Sequence, residues 1–454
     1  MRHAPPIFVR IFKNFSAHVY GQLVIAFIQL AGVPILLHYW GVRLYGEWLI
    51  LCAIPAYLSM TDLGFAQSAA NDMTQRMGRS DREGALMVFQ SIGVLIGICS
   101  IVGLILVIVV LTTTPFSSWL PLHALSQKEA AWVLGLLAAE VLVKLNEGTL
   151  HAGYRANGGN ALHWSIYYST LLVQYLGLWL MAMIGYGPVA AAGIFLAVRL
   201  LVTPAVAILL VWRCPWLPIG ISHSRWAEVR KLTKPALANI AFPLAQGLNI
   251  QGMVLVVGAV LGPIAVVTFA TLRTLTRLAL QAVLTISHAT EPEFAHVFGI
   301  GDIVLLRRLY IHTTRIALAL AVALAIGLYF FGGWILRLWT HGKVTMDAPL
   351  FAWLLASAVA GTLWYSGLTL LKAANRHLRA AVVFVFAAAL AVALAYALMK
   401  FSGNLPYAGL ALLCMDVLMI IYVLPAASRF CGGTTISVLR QLLNPFSIMH
   451  GRSQ

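Results

Sequence analysis

Apolar runs long enough to cross a bilayer recur along this 454-residue chain, near residues 16–38, 48–70, 86–111, 131–151, 164–186, 189–212, 236–258, 265–288, 310–336, 350–371, 380–399 and 407–428. A hydrocarbon core of about 30 Å is crossed by about twenty apolar residues in helical conformation. Inside lipid the backbone must satisfy its own polar groups, which leaves helices or a closed barrel. The runs therefore predict an all-α polytopic membrane protein with twelve transmembrane helices. A composition of 61% hydrophobic and 10% charged residues excludes an ordinary soluble domain.

The net charge of +16 does not call for a nucleic-acid partner, because in such a chain the position of Lys and Arg carries the information. With the N-terminus inside, twenty Lys and Arg fall in the cytoplasmic segments, Arg76, Arg225, Arg230, Arg376 and Arg379 among them, and five outside: Arg43, Lys128, Arg337, Lys343 and Lys400. This asymmetry predicts an inner-membrane protein with both termini cytoplasmic, and anionic membrane lipids as secondary partners. The basic start reads as a retained anchor with a short interfacial helix carrying Phe8, Ile11, Phe12 and Phe15. Five scattered cysteines give neither a disulfide nor a zinc framework.

A weak internal repeat organises the spans. At an offset of 221 residues, Gly41 pairs with Gly262, Trp48 with Phe269, Asp72 with Glu293 and Asp81 with Asp302; GYRAN at 153–157 pairs with LKAAN at 371–375 at an offset of 218. The expectation is two pseudo-symmetric six-helix lobes, 1–215 and 235–430, with a basic cytoplasmic linker at 216–234 and a cytoplasmic tail at 431–454. An even number of spans per lobe makes the repeat parallel, and such a pair encloses a central cavity.

Polar residues form stripes on otherwise apolar helices. In 265–288, Arg273 and Arg277 share a face with Gln281 and His288. A cation at the bilayer centre costs about 2.5–3.5 kcal/mol even on the lenient insertion scale, so such a pair faces protein, water or an anion. The first span carries Asn14, His18, Gln22 and Gln29, and the seventh carries Asn239, Gln246 and Asn249. These stripes are either hydrogen-bonded glue between helices or cavity lining. The fourth span aligns Glu140, Lys144, Glu147 and His151, where Lys144 can pair with either carboxylate; this is an ion-pair ladder or a cavity wall linked to a proton or cation. Glu47, Asp62, Arg199 and Asp416 are further ionisable groups in or near spans. No phosphate-binding GxxxxGK[ST] loop, no HExxH and no outer loop above about twenty residues occurs, so no enzyme, ATPase, cofactor or resident metal is expected.

WGVRLYGEW at 40–48, DLG at 62–64 and the basic loop with GRSD at 78–81 resemble Wzx-type polysaccharide transporters, the O-antigen flippases of the multidrug/oligosaccharidyl-lipid/polysaccharide (MOP) superfamily. The resemblance is clearest over 14–112 and recurs faintly in 235–336. It implies a MATE-like architecture and a flippase that moves an undecaprenyl-pyrophosphate-linked oligosaccharide across the bacterial inner membrane by alternating access. The implied partners are that lipid-linked oligosaccharide, a glycan polymerase and a chain-length regulator. On this footing Arg273 and Arg277, with Arg199, would hold the pyrophosphate, since the arginine fork suits phosphate oxygens. His18, Gln22, Gln29, Asn239, Gln246, Asn249 and Gln281 would line the cavity, and Asp62, Glu140, Lys144 and Glu147 would serve any proton or sodium coupling. A cation-coupled multidrug antiporter of the same superfamily is the alternative, and a non-transporting scaffold of a polysaccharide assembly complex is the second.

Overall fold

A computed structural model describes residues 7–60, 64–113, 122–374 and 376–443, and among them every regular element is helical. In chain order these are α1 (Ile7–Tyr39), α2 (Gly41–Ala56), α3 (Phe65–Gly78), α4 (Arg82–Thr113), α5 (Gln127–Ala156), α6 (Asn160–Met183) and α7 (Pro188–Arg213). Then follow α8 (Trp226–Gly247), α9 (Met253–Ile300), α10 (Ile303–Thr340), α11 (Ala348–Ala373), α12 (Leu378–Ser402), α13 (Pro406–Phe430) and α14 (Thr435–Leu443). Among the described residues nine helices are long and apolar enough to cross a membrane. The segment Ile240–Arg277, counted there once, is divided at Gly262, and the expected second and fourth spans fall to α2 with α3 and to α5. Faces bearing Ile101, Leu201 and Phe386, exposed by 63%, 75% and 70%, suit lipid rather than water.

The second span is not one helix, as its apolar run suggested. It breaks after a 3₁₀ turn at Tyr57–Met60, and α3 begins beyond Gly64, whose φ of 77° is left-handed. The repeat, by contrast, reappears in the backbone. Gly41 and its mate Gly262 have φ of 73° and 82°, a region nearly closed to residues with a Cβ. Ser80 and Gly301, again 221 apart, have φ of 61° and 82°. The following aspartates then start the next helices: Asp81 accepts from Gly84 N at 2.8 Å, and Asp302 from Leu305 N at 2.9 Å.

The chain divides into two compact units, Met1–Pro243 with Gly262–Ile264, and Leu244–Leu261 with Ala265–Gln454. In the first, Met73, Phe89, Ile92, Tyr154 and Leu210 form the core, joined by Val229, Leu232 and Ala236 of α8. Arg76 secures that attachment, contacting Asp72 of its own helix and Glu228 of α8, both at 2.6 Å. The second unit is centred on Phe294, Leu306, Tyr310, Leu370 and Leu424, and α14 closes it with Val438 and Leu442. Arg307 Nη2 donates to Ser437 Oγ at 2.9 Å, and Arg315 to the Gln441 carbonyl, so part of the expected tail is a docked helix.

Candidate functional site

In the second unit the chain leaves α8 through a single π-helical turn, Leu248–Gly252, an irregularity frequent at functional positions. The turn carries Asn249, whose Oδ1 accepts from Arg273 Nη2 at 2.6 Å. The Arg273 guanidinium lies 5.5 Å from the centre of the Phe269 ring, and its Nη1 is buried with no hydrogen-bond partner among the described residues. Arg277, four residues on and half-buried, has no hydrogen bond or ion pair among the described residues. Beside them Gln246 Nε2 donates to Tyr365 Oη at 3.0 Å, and the Tyr365 ring stacks on Trp364 at 3.9 Å. Arg273, Asn249 and Gln246 thus come together; Gln281 is half-buried on the same helix, α9.

The nearby carboxylate is Asp416, only 4% exposed, which accepts from Trp364 Nε1 at 2.8 Å and from Ser357 Oγ. Its charge reaches Arg273 through space, but the two are not within ion-pair distance. Both donors to Asp416 are neutral. A carboxylate buried without a cation is expensive in a low-dielectric setting, so Asp416 is a second anomaly in this unit.

The first unit holds the counterpart. Arg199, 1% exposed, donates through Nε to Glu140 Oε1 at 2.9 Å and through Nη1 to both Glu147 oxygens at 2.8 Å. Gln174 Nε2 supports Glu140 at 3.1 Å and Thr203 Oγ1 supports Glu147 at 2.7 Å. The separations along the chain are 59 and 52 residues, the same as from Asp416 to Ser357 and Trp364. One architectural position therefore holds an arginine clamped by two carboxylates in the first unit and a carboxylate clamped by two neutral donors in the second.

This geometry revises two sequence expectations. Arg199 is taken up by Glu140 and Glu147, which removes it from the anion-binding set. Lys144 pairs with neither carboxylate, because the arginine has claimed them; its ammonium lies 5.2 Å from the centre of the Tyr167 ring. Gln22 is exposed on α1, and Gln29 is half-buried with Oε1 lacking a partner among the described residues. Asp62 lies outside the described residues, as do the side chains of His18 and Asn239. Ser357 and Trp364, whose signal is their spacing from Asp416, escape the sequence reading, as do Tyr365 and the task of Glu47. That fully buried carboxylate accepts from the backbone N–H groups of His123, Ala124 and Leu125 at 2.6, 2.6 and 2.9 Å.

No protein-family profile and no curated protein matches the chain. Solved structures do. A multidrug-resistance MATE family transporter of the MOP superfamily, in its inward-facing conformation, superposes with a TM-score of 0.67 at 15% identity over 91% of this chain and 99% of its own. A MATE protein in complex with MaL6 gives 0.57 at 16% identity, covering 95% of both chains. A MOP superfamily transporter from Pyrococcus furiosus, in which reversed polarity of the binding pocket suggests a different function, gives 0.54 at 14% identity over 95% of this chain and 94% of its own. The fold is that of MATE-type MOP superfamily transporters, and the chain is a multi-pass membrane protein of that architecture.

Proposed function

We propose that the protein is a flippase for an undecaprenyl-pyrophosphate-linked oligosaccharide in the bacterial inner membrane, with both termini cytoplasmic. One observation carries this reading. Arg273 keeps a buried, unpartnered Nη1 beside Arg277, and no carboxylate within ion-pair distance of either arginine is present among the described residues. In an apolar span such a pair wants an anion, and a pyrophosphate offers oxygens for two guanidinium forks about 6 Å apart along the helix. Gln246, Asn249 and Gln281 extend the polar surface toward the sugars. Outward movement of two negative charges down an inside-negative potential releases about 2.3 kcal/mol per charge per 100 mV, so export needs no ATP.

Any proton or sodium coupling then passes from Glu140 and Glu147, which are spent on Arg199, to Asp416, which lacks an ionic partner. A glycan polymerase and a chain-length regulator are the partners that would consume the product. Asp416 and the MATE architecture also support a second reading, a cation-coupled multidrug antiporter, in which carboxylates rather than arginines govern transport. The readings separate in cells. Charge reversal, Arg273→Glu with Arg277→Glu, is expected to abolish surface glycan at unchanged membrane level and to leave drug tolerance alone. Normal glycan output with altered drug tolerance would favour the antiporter.

A further inference from the structure

The first unit contains a cavity that the arginine pair does not use. It lies beside the 3₁₀ turn that follows α2, between α5 and α6, and is an open-mouthed recess of about 230 Å³. Drug-sized ligands occupy sites of about 300–1,000 Å³, so this one has room for a single ring. Trp164 and Tyr167 form one wall. Trp164 is stacked against Tyr168 at 5.7 Å and meets Tyr167 edge-on at 5.5 Å, which fixes the platform.

The polar groups facing that platform are only partly satisfied. His163, 6% exposed, lines the cavity and its Nδ1 has no partner among the described residues. The neighbouring His151 stacks on it at 4.6 Å and is oriented by a 2.9 Å contact from Nε2 to Asn160 Oδ1. Lys144 brings an ammonium that has Tyr167 beneath it and no carboxylate within ion-pair distance among the described residues. With the histidines neutral, the charges of Lys144 and Arg199 balance those of Glu140 and Glu147, so an ionic ligand would find nothing to neutralise. A hydroxyl both donates and accepts, and can serve an ammonium and an imidazole nitrogen together, while the apolar face of a saturated ring covers an aromatic one.

We propose that this cavity binds one neutral pyranose residue of the transported glycan, with Trp164 under the ring and with Lys144, held over Tyr167, and His163 on its hydroxyls. The inference rests on the flippase reading and names its sugar subsite. Saturation-transfer NMR on the full chain in lipid nanodiscs, with methyl glycosides of glucose, galactose, mannose, rhamnose, N-acetylglucosamine and N-acetylgalactosamine, tests it. At least one sugar should receive saturation. Its apparent affinity should fall about tenfold, equivalent to about 1.4 kcal/mol, in Trp164→Ala and in Lys144→Met, and should be largely kept in Trp164→Phe. Should Trp164→Ala fold poorly by gel filtration, Lys144→Met carries the test alone. No saturation of any sugar, a signal that survives both variants, or displacement by tetraphenylphosphonium would overturn the subsite. Sugar-free undecaprenyl pyrophosphate should still bind Trp164→Ala; its failure to bind even the unmodified protein would sink the flippase reading instead.

Discussion

Arg199→Met is expected to destabilise the first unit far more than any change at the matching position of the second. Arg199 directs one donor at Glu140, 2.9 Å away, and another at Glu147, 2.8 Å away, with side-chain exposures of 1%, 9% and 8%. Removing one partner of a buried ion pair costs about 3–5 kcal/mol, because the charge left behind remains buried. Two carboxylates would be left here, but Gln174 and Thr203 still donate to them, so the lower half of that range, about 3–4 kcal/mol, is expected. Against a total stability of about 5–15 kcal/mol this is a large fraction. Asp416→Asn should change stability by no more than about 1.5 kcal/mol, since the amide oxygen can still accept from Trp364 Nε1 while the amide N–H donates to the Ser357 hydroxyl. Replacing Arg199, Glu140 and Glu147 together by glutamine should recover most of the loss, because no charge is then buried. Reversible unfolding in mixed dodecylmaltoside and dodecylsulfate micelles measures all three variants. An Arg199→Met cost below about 1 kcal/mol, or an equal cost for Asp416→Asn, would refute the clamp as described.

Three further outcomes can be checked. Glu47→Gln should cost about 1.5–3 kcal/mol, since a charged acceptor is lost from three backbone donors, and hydrogen exchange at amides 123–125 should accelerate; unchanged protection would contradict the anchor. Gly262→Ala should cost about 1–3 kcal/mol in the same micelles, because φ 82° with ψ 178° is a conformation essentially confined to glycine. Hydrogen bonds from the Ser126 hydroxyl and backbone N–H hold the Glu129 carboxyl below the ordinary glutamate value of 4.5. The depressed carboxylate therefore supports the start of α5 above pH 4.5 and loses that support as pH falls through its lower folded value. Ser126→Ala should shift the loss to higher pH, read as exchange at the first amides of α5 corrected for intrinsic rate.

Much of the scaffold was legible because lipid leaves few options for apolar runs of this length, and because a left-handed residue followed by a capping aspartate leaves a trace in sequence. Gly41 with Gly262 and Asp81 with Asp302 mark the repeat in the amino-acid sequence alone. The break at Gly64 was hidden, since an apolar run reads alike whether its helix is continuous or interrupted by a 3₁₀ turn. The arginine pair stood out by type and spacing. The clamp on Arg199 did not, because helical periodicity shows which groups share a face and not which helix that face meets. Lys144 lies one turn from both Glu140 and Glu147, yet the long arginine arriving from α7 takes both carboxylates and leaves the lysine to an aromatic ring. Asp416 was recognised as ionisable, while its partners Ser357 and Trp364 carry no charge pattern that would mark them.

The central claim is that one face of α9 grips a lipid pyrophosphate. Purified protein in proteoliposomes, loaded on the inner leaflet with fluorescently traced undecaprenyl-pyrophosphate oligosaccharide, reports outward translocation directly as gain of the tracer's accessibility to a quencher added outside. The wild-type chain should translocate the tracer, faster under an inside-negative potential, and Arg273→Glu with Arg277→Glu should reduce the rate to that of protein-free liposomes. Equal rates for the wild type and the charge-reversed variant would contradict the claim.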